Sequence, residues 1–156
     1  MLRIWGRASS SNVMKVLWLC EELSIPFERV EAGGAFGRVR EPEYLALNPN
    51  GLVPVIEDGG FVLWESNAIL RYLTRTRAPR HPVYPDDPRE AADCDRWMDW
   101  QGTALNPPLV TVYFTLFRIP EPERDWAAFA KARDAVAALF GMLEARLRDR
   151  HFICGD

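Results

Sequence analysis

Apolar residues change their spacing repeatedly along the first half of the chain, and each change marks an element. Leu2-Arg3-Ile4-Trp5 opens a strand. A small polar loop over residues 6–11 follows. Val13, Val16, Leu17, Cys20 and Leu23 then recur at the three- and four-residue intervals of one helical face, and Ser24-Ile25-Pro26 ends that helix. Residues 27–31 alternate as a second strand. Strand, helix and strand at this length form a βαβ unit, whose two strands run parallel with a right-handed crossover. The glycine-rich residues 32–40 read as a loop, and residues 42–47 as a short helix. Leu52-Val53-Pro54-Val55-Ile56 is an apolar, β-branched run, and Asp58-Gly59-Gly60 is a turn signal. Residues 53–57 and 61–64 are therefore expected to pair as a hairpin. Helical spacing returns at Ala68, Ile69, Tyr72 and Leu73, with Ser66 as the expected N-cap. The predicted order is βαβαββα, a mixed four-stranded sheet with helices on its faces.

The second half reads differently. Prolines at 79, 82, 85 and 88 make residues 78–88 a stiff linker, the composition favoured at domain boundaries. This divides the chain into an α/β domain over 1–77, the linker, and an all-helical domain over 89–156. Residues 89–105 are expected to form one helix, broken near Asn106-Pro107-Pro108 and resuming through Tyr113 and Leu116. A long helix over 123–150 carries Trp126, Phe129, Val136, Leu139, Phe140, Leu143 and Leu147 as its apolar positions. These helices suit a bundle.

Composition narrows the function classes. The chain has 156 residues, 48% hydrophobic and 26% charged, enough for one ample core or two small ones. A net charge of −3 argues against a nucleic-acid partner, which needs a basic face. No apolar run approaches a membrane span, and Met1 leads almost directly into a strand, leaving no room for a signal peptide. The three cysteines, Cys20, Cys94 and Cys154, lack metal-ligand spacing, so no metal is expected and a reducing cytoplasm is the natural setting. Cys20 and Cys94 read as buried packing residues on helices.

In a parallel βα unit, ligands collect beyond the carboxyl end of the strand, near the next helix's N-terminus. Here that position is Ala8-Ser9-Ser10-Ser11-Asn12. It contains no C-x-x-C motif, which disfavours dithiol chemistry. His81 and His151 lie in the linker and near the end, so a Ser-His-Asp hydrolase is unsupported. The hydroxyl groups stand either as hydrogen-bond donors to a ligand or as helix caps. Pro54 cannot donate to a ladder, so its strand begins at an edge or a turn. Either the Val53-Pro54 bond is cis and turns the Val53 backbone toward an extended peptide, or the proline merely blunts the edge. At Glu65-Ser66, the free N–H groups of the helix start suit a carboxylate, and Glu65 suits an ammonium. Together they would hold an α-amino acid head; alternatively, Ser66 only caps and Glu65 only favours the helix dipole.

Three motifs stand in register: Ser10-x-Asn12-x-x-Lys15-Val16, Asn48-Pro49-x-Gly51-x-Val53-Pro54 and Trp64-Glu65-Ser66-x-Ala68-Ile69. On these the whole chain resembles the cytosolic glutathione transferases, of the serine type shared by theta, zeta, phi and nu-like members. The resemblance implies a thioredoxin-like domain followed by an all-α domain, with glutathione as co-substrate and no metal. It assigns the backbone of Val53, before cis Pro54, to the cysteinyl unit, and Glu65 and Ser66 to the γ-glutamyl head. Leu52 falls where relatives often carry a polar or basic residue for the glycine end, and Arg38 or Arg40 is the substitute. Ser10, five residues before Lys15, takes the role of the catalytic hydroxyl. Asn12 assists, and Ser11 is next in line.

Trp97, Trp100 and Tyr113 are expected either to line a pocket for a small hydrophobic electrophile or to be core residues. The implied chemistry is conjugation, or reduction of a peroxide or disulfide. A non-catalytic binding or regulatory module and a glutathione-dependent lyase or dehalogenase are the alternatives. The zeta signature, with cysteine after paired serines, is absent, which disfavours maleylacetoacetate isomerisation. The resemblance also implies a homodimer. It leads us to expect that the chain is truncated after Gly155-Asp156, leaving the helical domain incomplete.

Overall fold

Register decides where a site can be built. β1 (Leu2–Trp5) pairs parallel with β2 (Phe27–Val30) and antiparallel with β3 (Val55–Asp58), which pairs antiparallel with β4 (Phe61–Trp64). The sheet order is β2-β1-β3-β4. Trp5 lies opposite both Val30 and Val55, and Val55 lies opposite Trp64. These four residues form a row across one end of the sheet. The segments 6–10, 53–54 and 65–66 therefore all leave the sheet at that end. The structure is a computed structural model that describes residues 1–155; Asp156, the last residue of the helical half as read from the sequence, lies outside the described residues.

Strand alternation sorts the two faces. Leu2, Ile4 and Ile56 pack with Val16, Leu19 and Cys20 of α1 (Ser11–Glu22) and with Ile69 and Leu73 of α3 (Ser66–Arg77). Val55 packs on the other face with Ala32 and with Tyr44 of α2 (Pro42–Leu47), flanked by Trp5, Val39, Leu47, Val53 and Val62. Each fully buried Leu or Ile contributes about 1.5–3 kcal/mol relative to exposure. In α1, Leu19 is buried, whereas Leu17, and Leu23 just after the helix, are only half-buried. The domain is thioredoxin-like, with the predicted βαβαββα order. Two details differ from the sequence reading. β3 starts at Val55 because Pro54 has no N–H for the ladder, and it includes Asp58, which leaves Gly59-Gly60 as the turn.

The chain divides into two compact units, Met1–Tyr84 and the residues from Pro85 onward, and this division falls within 78–88. The second unit is helical. α4 (Pro88–Trp100) is capped by Asp87, whose carboxylate accepts from Arg89 N at 2.9 Å and Glu90 N at 3.1 Å. The expected break at Asn106-Pro107-Pro108 does not occur. A π-helical turn over Gln101–Leu105 leads directly into α5 (Asn106–Phe117), and the prolines sit in the first turn of α5. Pro107 and Pro108 have no N–H to return to the preceding turn, and the widened turn absorbs that loss.

α6 spans Trp126–Leu147, shorter than expected, because Asp125 caps it by accepting from Ala128 N at 2.9 Å. Val136 and Ala132 are its buried positions. Phe129, Leu139 and Leu143 are half-buried, while Trp126, Phe140 and Leu147 are exposed. Among the described residues, no helix is long and apolar enough to cross a membrane.

Candidate functional site

The first wall of the site is the loop between β1 and α1. Gly6 N donates to Val30 O and Arg7 N to Ala32 O, both at 2.9 Å, so the loop extends the parallel ladder before turning away. A Cβ at Gly6 would lie 2.5 Å from Val13 Cγ2 and 3.3 Å from Val53 Cβ, so the bare glycine lets this loop run close against Val53. Ser10 N then donates to Arg7 O at 3.1 Å. Ser10 occupies the N-cap of α1 with extended backbone, yet its hydroxyl makes no capping hydrogen bond. The side chain is half-buried, whereas Ser9 and Ser11 are exposed. The cap position thus belongs to Ser10, and its hydroxyl is not consumed there.

The second wall is the approach to β3. The Val53-Pro54 bond is cis. Asn48, only 2% exposed, organises the turn before it. Its Oδ1 accepts from Asn50 N at 3.0 Å and Asn50 Nδ2 at 2.9 Å, and its Nδ2 donates to Leu52 O at 2.9 Å. Tyr44 donates its hydroxyl to the same carbonyl at 2.8 Å, and burial pushes its phenol up to about 12. Leu52 is therefore held through its backbone while its side chain is exposed. No hydrogen bond among the described residues reaches the Val53 N–H or C=O. Gly51, at φ 62°, lets the Arg40 guanidinium lie over it; a Cβ there would meet Arg40 Nη1 at 2.9 Å. Arg38 instead stacks over the Trp5 ring, 4.9 Å from its centroid. Of the two arginines considered for the glycine end, Arg40 is the one that lies over Gly51, the residue before Leu52.

The third wall is the start of α3, where the sequence reading needs correction. Ser66 is the first helical residue and not the N-cap. Glu65 holds the cap position at φ 72° and ψ 109°, with no capping hydrogen bond from its side chain. The left-handed conformation is costly for a residue with a Cβ, and such strain concentrates at binding sites. It accompanies an exposed Glu65 carboxylate and a buried Ser66. The Ser66 hydroxyl donates to Asn12 Oδ1 at 3.4 Å, a long bond that brings the first turns of α1 and α3 together. Lys15 Nζ donates to Asn67 Oδ1 at 3.0 Å. Burial lowers the Lys15 amine from its ordinary value, and the Glu65 carboxylate opposes that shift.

Asn48, Lys15 and Asn67 are structural members of this corner that the sequence reading did not assign. Lys15 entered only as a landmark for counting to Ser10. A basic residue on the α1 face that turns toward the Glu-Ser motif was the available signal.

The aromatic residues expected to line a pocket fall in two separate sets. Trp97 and Trp100 are half-buried and stack edge-on at 5.2 Å. Tyr113 is 45% exposed and packs on Phe114 at 5.9 Å and Phe117 at 5.3 Å. No group of three or more potential metal-ligating side chains occurs among the described residues.

The glutathione S-transferase N-terminal domain model matches residues 1–75. Glutathione S-transferase GstB of Escherichia coli K12 is 40% identical over 158 residues, spanning all of this chain and 76% of the relative. The crystal structure of the theta class glutathione S-transferase from Xanthomonas axonopodis pv. citri, with glutathione bound, superposes with a TM-score of 0.93 at 44% identity. It covers 99% of this chain and 74% of that one. Poplar glutathione transferase F1 gives a TM-score of 0.88 at 30% identity, covering 99% and 73%. With these likenesses spanning both units, the chain belongs to the glutathione S-transferase family.

Proposed function

We propose that this chain binds glutathione along Val53 and activates its thiol as a thiolate for attack on a small hydrophobic electrophile, or for reduction of a peroxide or disulfide. The observation that carries this reading is the unpartnered Val53 backbone, next to a loop bearing an uncommitted Ser10 hydroxyl and at the same sheet end as Glu65 and Ser66. An extended tripeptide would pair its cysteinyl backbone with Val53. Its γ-glutamyl ammonium would meet Glu65, its α-carboxylate would meet Ser66 and the free N–H groups of α3, and its glycine carboxylate would meet Arg40.

Energetics support the role of Ser10. A thiol near pKa ~8.5 must fall by about two units to be mostly ionised near neutrality, which takes roughly 2.7 kcal/mol. A hydrogen bond to a charged acceptor contributes about 1.5–3 kcal/mol, and a helix N-terminus adds about 0.3–1 kcal/mol. The Ser10 hydroxyl at the start of α1 therefore suffices, with Asn12 in support and Ser11 as the second choice. For the electrophile we propose Trp97, Trp100 and Tyr113 as pocket residues. A homodimer in the cytoplasm completes the proposal.

The test is glutathione titration of the purified protein, followed by thiolate absorbance against pH and turnover across an electrophile panel. A bound thiol that ionises well below its free value, with turnover, is the expected result. Binding without ionisation or turnover would make the chain a non-catalytic binding module, and absence of binding would overturn the site.

A further inference from the structure

Two of the three cysteines meet in the helical unit, and neither belongs to the glutathione site. The Cys94 thiol on α4 and the Cys154 thiol in the segment after α6 lie close enough to influence each other's ionisation. Both side chains are half-buried, so Cys94 is not the fully buried packing residue expected from the sequence. The contact is built by Arg146 of α6. Its Nη2 pairs with Asp93 Oδ2 at 2.5 Å, one residue before Cys94, and its Nε donates to Ile153 O at 2.8 Å, one residue before Cys154. The guanidinium also lies over the Trp97 ring at 5.8 Å, one helical turn further along α4. One planar side chain thus holds the residues preceding both thiols, and its five donors suit that fork.

We propose that Cys94 and Cys154 are a redox-active pair that closes to an intramolecular disulfide, fastening the segment after α6 to α4. The oxidant is a disulfide of the glutathione class. A Cys154 thiolate attacks one sulfur of glutathione disulfide, forming a mixed disulfide and releasing one glutathione. Cys94 then loses its proton to solvent and attacks the Cys154 sulfur, releasing the second glutathione. Two protein thiols are oxidised and one glutathione disulfide is reduced to two glutathione molecules. Desolvation, the neighbouring Cys154 thiol, and the carboxylates of Asp93 and Asp95 push the Cys94 thiol up to about 12. Cys94 therefore makes the second attack and not the first: both attacks need a thiolate, and the raised Cys94 thiol gives up its proton only once the mixed disulfide on Cys154 lies beside it. Cys20 stands apart, buried in the first unit with its thiol pushed up to about 11 by burial.

The experiment treats the whole chain with glutathione disulfide at mildly alkaline pH, then counts free thiols and maps disulfides by peptide mass spectrometry. The three free thiols fall to one, and a Cys94–Cys154 linked peptide appears. Cys94→Ser stops at a glutathione adduct on Cys154, and Cys20→Ser leaves the linkage intact. The oxidised protein melts at a higher temperature, and a reductant reverses both changes. Oxidised wild-type chain carrying only glutathione adducts, or a linkage through Cys20, would overturn the proposal. The wild-type mass map decides even if a cysteine variant fails to fold.

Discussion

The Ser66 hydroxyl donates to Asn12 Oδ1 at 3.4 Å, joining the first turn of α3 to the first turn of α1. The carbonyl side of the Asn12 amide is thereby engaged with the helix that starts at the Glu-Ser motif. Its Nδ2 group is a donor on a residue two positions after Ser10. One contact thus couples the part of the site assigned to the γ-glutamyl head with the part assigned to the thiol.

Ser10→Ala is expected to lower turnover by about 10–100-fold, the loss of one hydrogen bond to a charged sulfur. The ionisation of bound glutathione moves upward by about one to two pH units, while affinity for glutathione holds. Because the Ser10 hydroxyl makes no capping bond, the melting temperature also holds. Thiolate absorbance against pH and a thermal melt check both halves. A variant with full turnover would transfer the role to Ser11 or Asn12.

Glu65→Gln separates affinity from chemistry. The carboxylate is exposed and makes no cap bond, so its removal leaves the fold intact. Losing a charge-assisted bond to the ligand ammonium weakens glutathione binding by about 10–100-fold. Calorimetric titration is the measurement. An unchanged dissociation constant would remove Glu65 from the site, whatever happened to turnover.

The sheet was legible in the sequence because period-two and helical spacings do not overlap in the first unit. Val53-Pro54 was legible because a proline beside a strand breaks a local rule, and Glu65-Ser66 because an acid set against the free N–H groups of a helix start offers a partner to each charge of an amino acid head. The cap at Glu65 was not legible, because serine is the better capping residue and only the left-handed backbone reverses that preference. The continuous passage from α4 to α5 was also hidden. Paired prolines normally end a helix, and a π-helical turn that removes the conflict leaves no periodic trace. Lys15 against Asn67 and Cys94 against Cys154 are contacts between residues far apart in sequence, which spacing cannot report.

Gly51→Ala tests how tightly the approach to Val53 is built. The added Cβ would sit 2.8 Å from the Val39 carbonyl oxygen, which is backbone and cannot rotate away, and the residue would be held at φ 62°. The left-handed conformation alone costs about 1–2 kcal/mol, and crowding adds about 1–3 kcal/mol. Gly59→Ala is the control: its φ is 59°, but nothing lies within 4 Å of the new atom, so only the conformational cost applies. Urea unfolding should rank Gly51→Ala as the more damaging, with weakened glutathione binding in that variant alone. Equal losses in the two variants would show that the space over Gly51 is not confined.

Asp58 offers a stability test remote from the site, because it closes the β3–β4 hairpin at the sheet end opposite Val55. Its side chain is only 8% exposed, accepts from the Tyr72 hydroxyl at 3.0 Å and pairs with Arg77. The Arg77 hydrogen bond, the Tyr72 bond and the nearby positive charges hold the carboxyl below its ordinary value, against a smaller opposing effect of burial. A carboxyl depressed in the folded state stabilises only when ionised. Its contribution is complete above the unfolded value of about 3.9 and is lost as pH falls through the lower folded value. Asp58→Asn should therefore cost about 1.5–3 kcal/mol at neutral pH, toward the lower end because the Arg77 partner is partly exposed and screened. The gap between wild type and variant should stay level from neutrality to about pH 5 and shrink below about pH 4. Urea unfolding across that range measures it, with glutathione affinity unchanged at neutral pH. A gap that persists undiminished in acid would mean that the carboxylate charge contributes nothing, and that the asparagine acts only through altered packing against Tyr72.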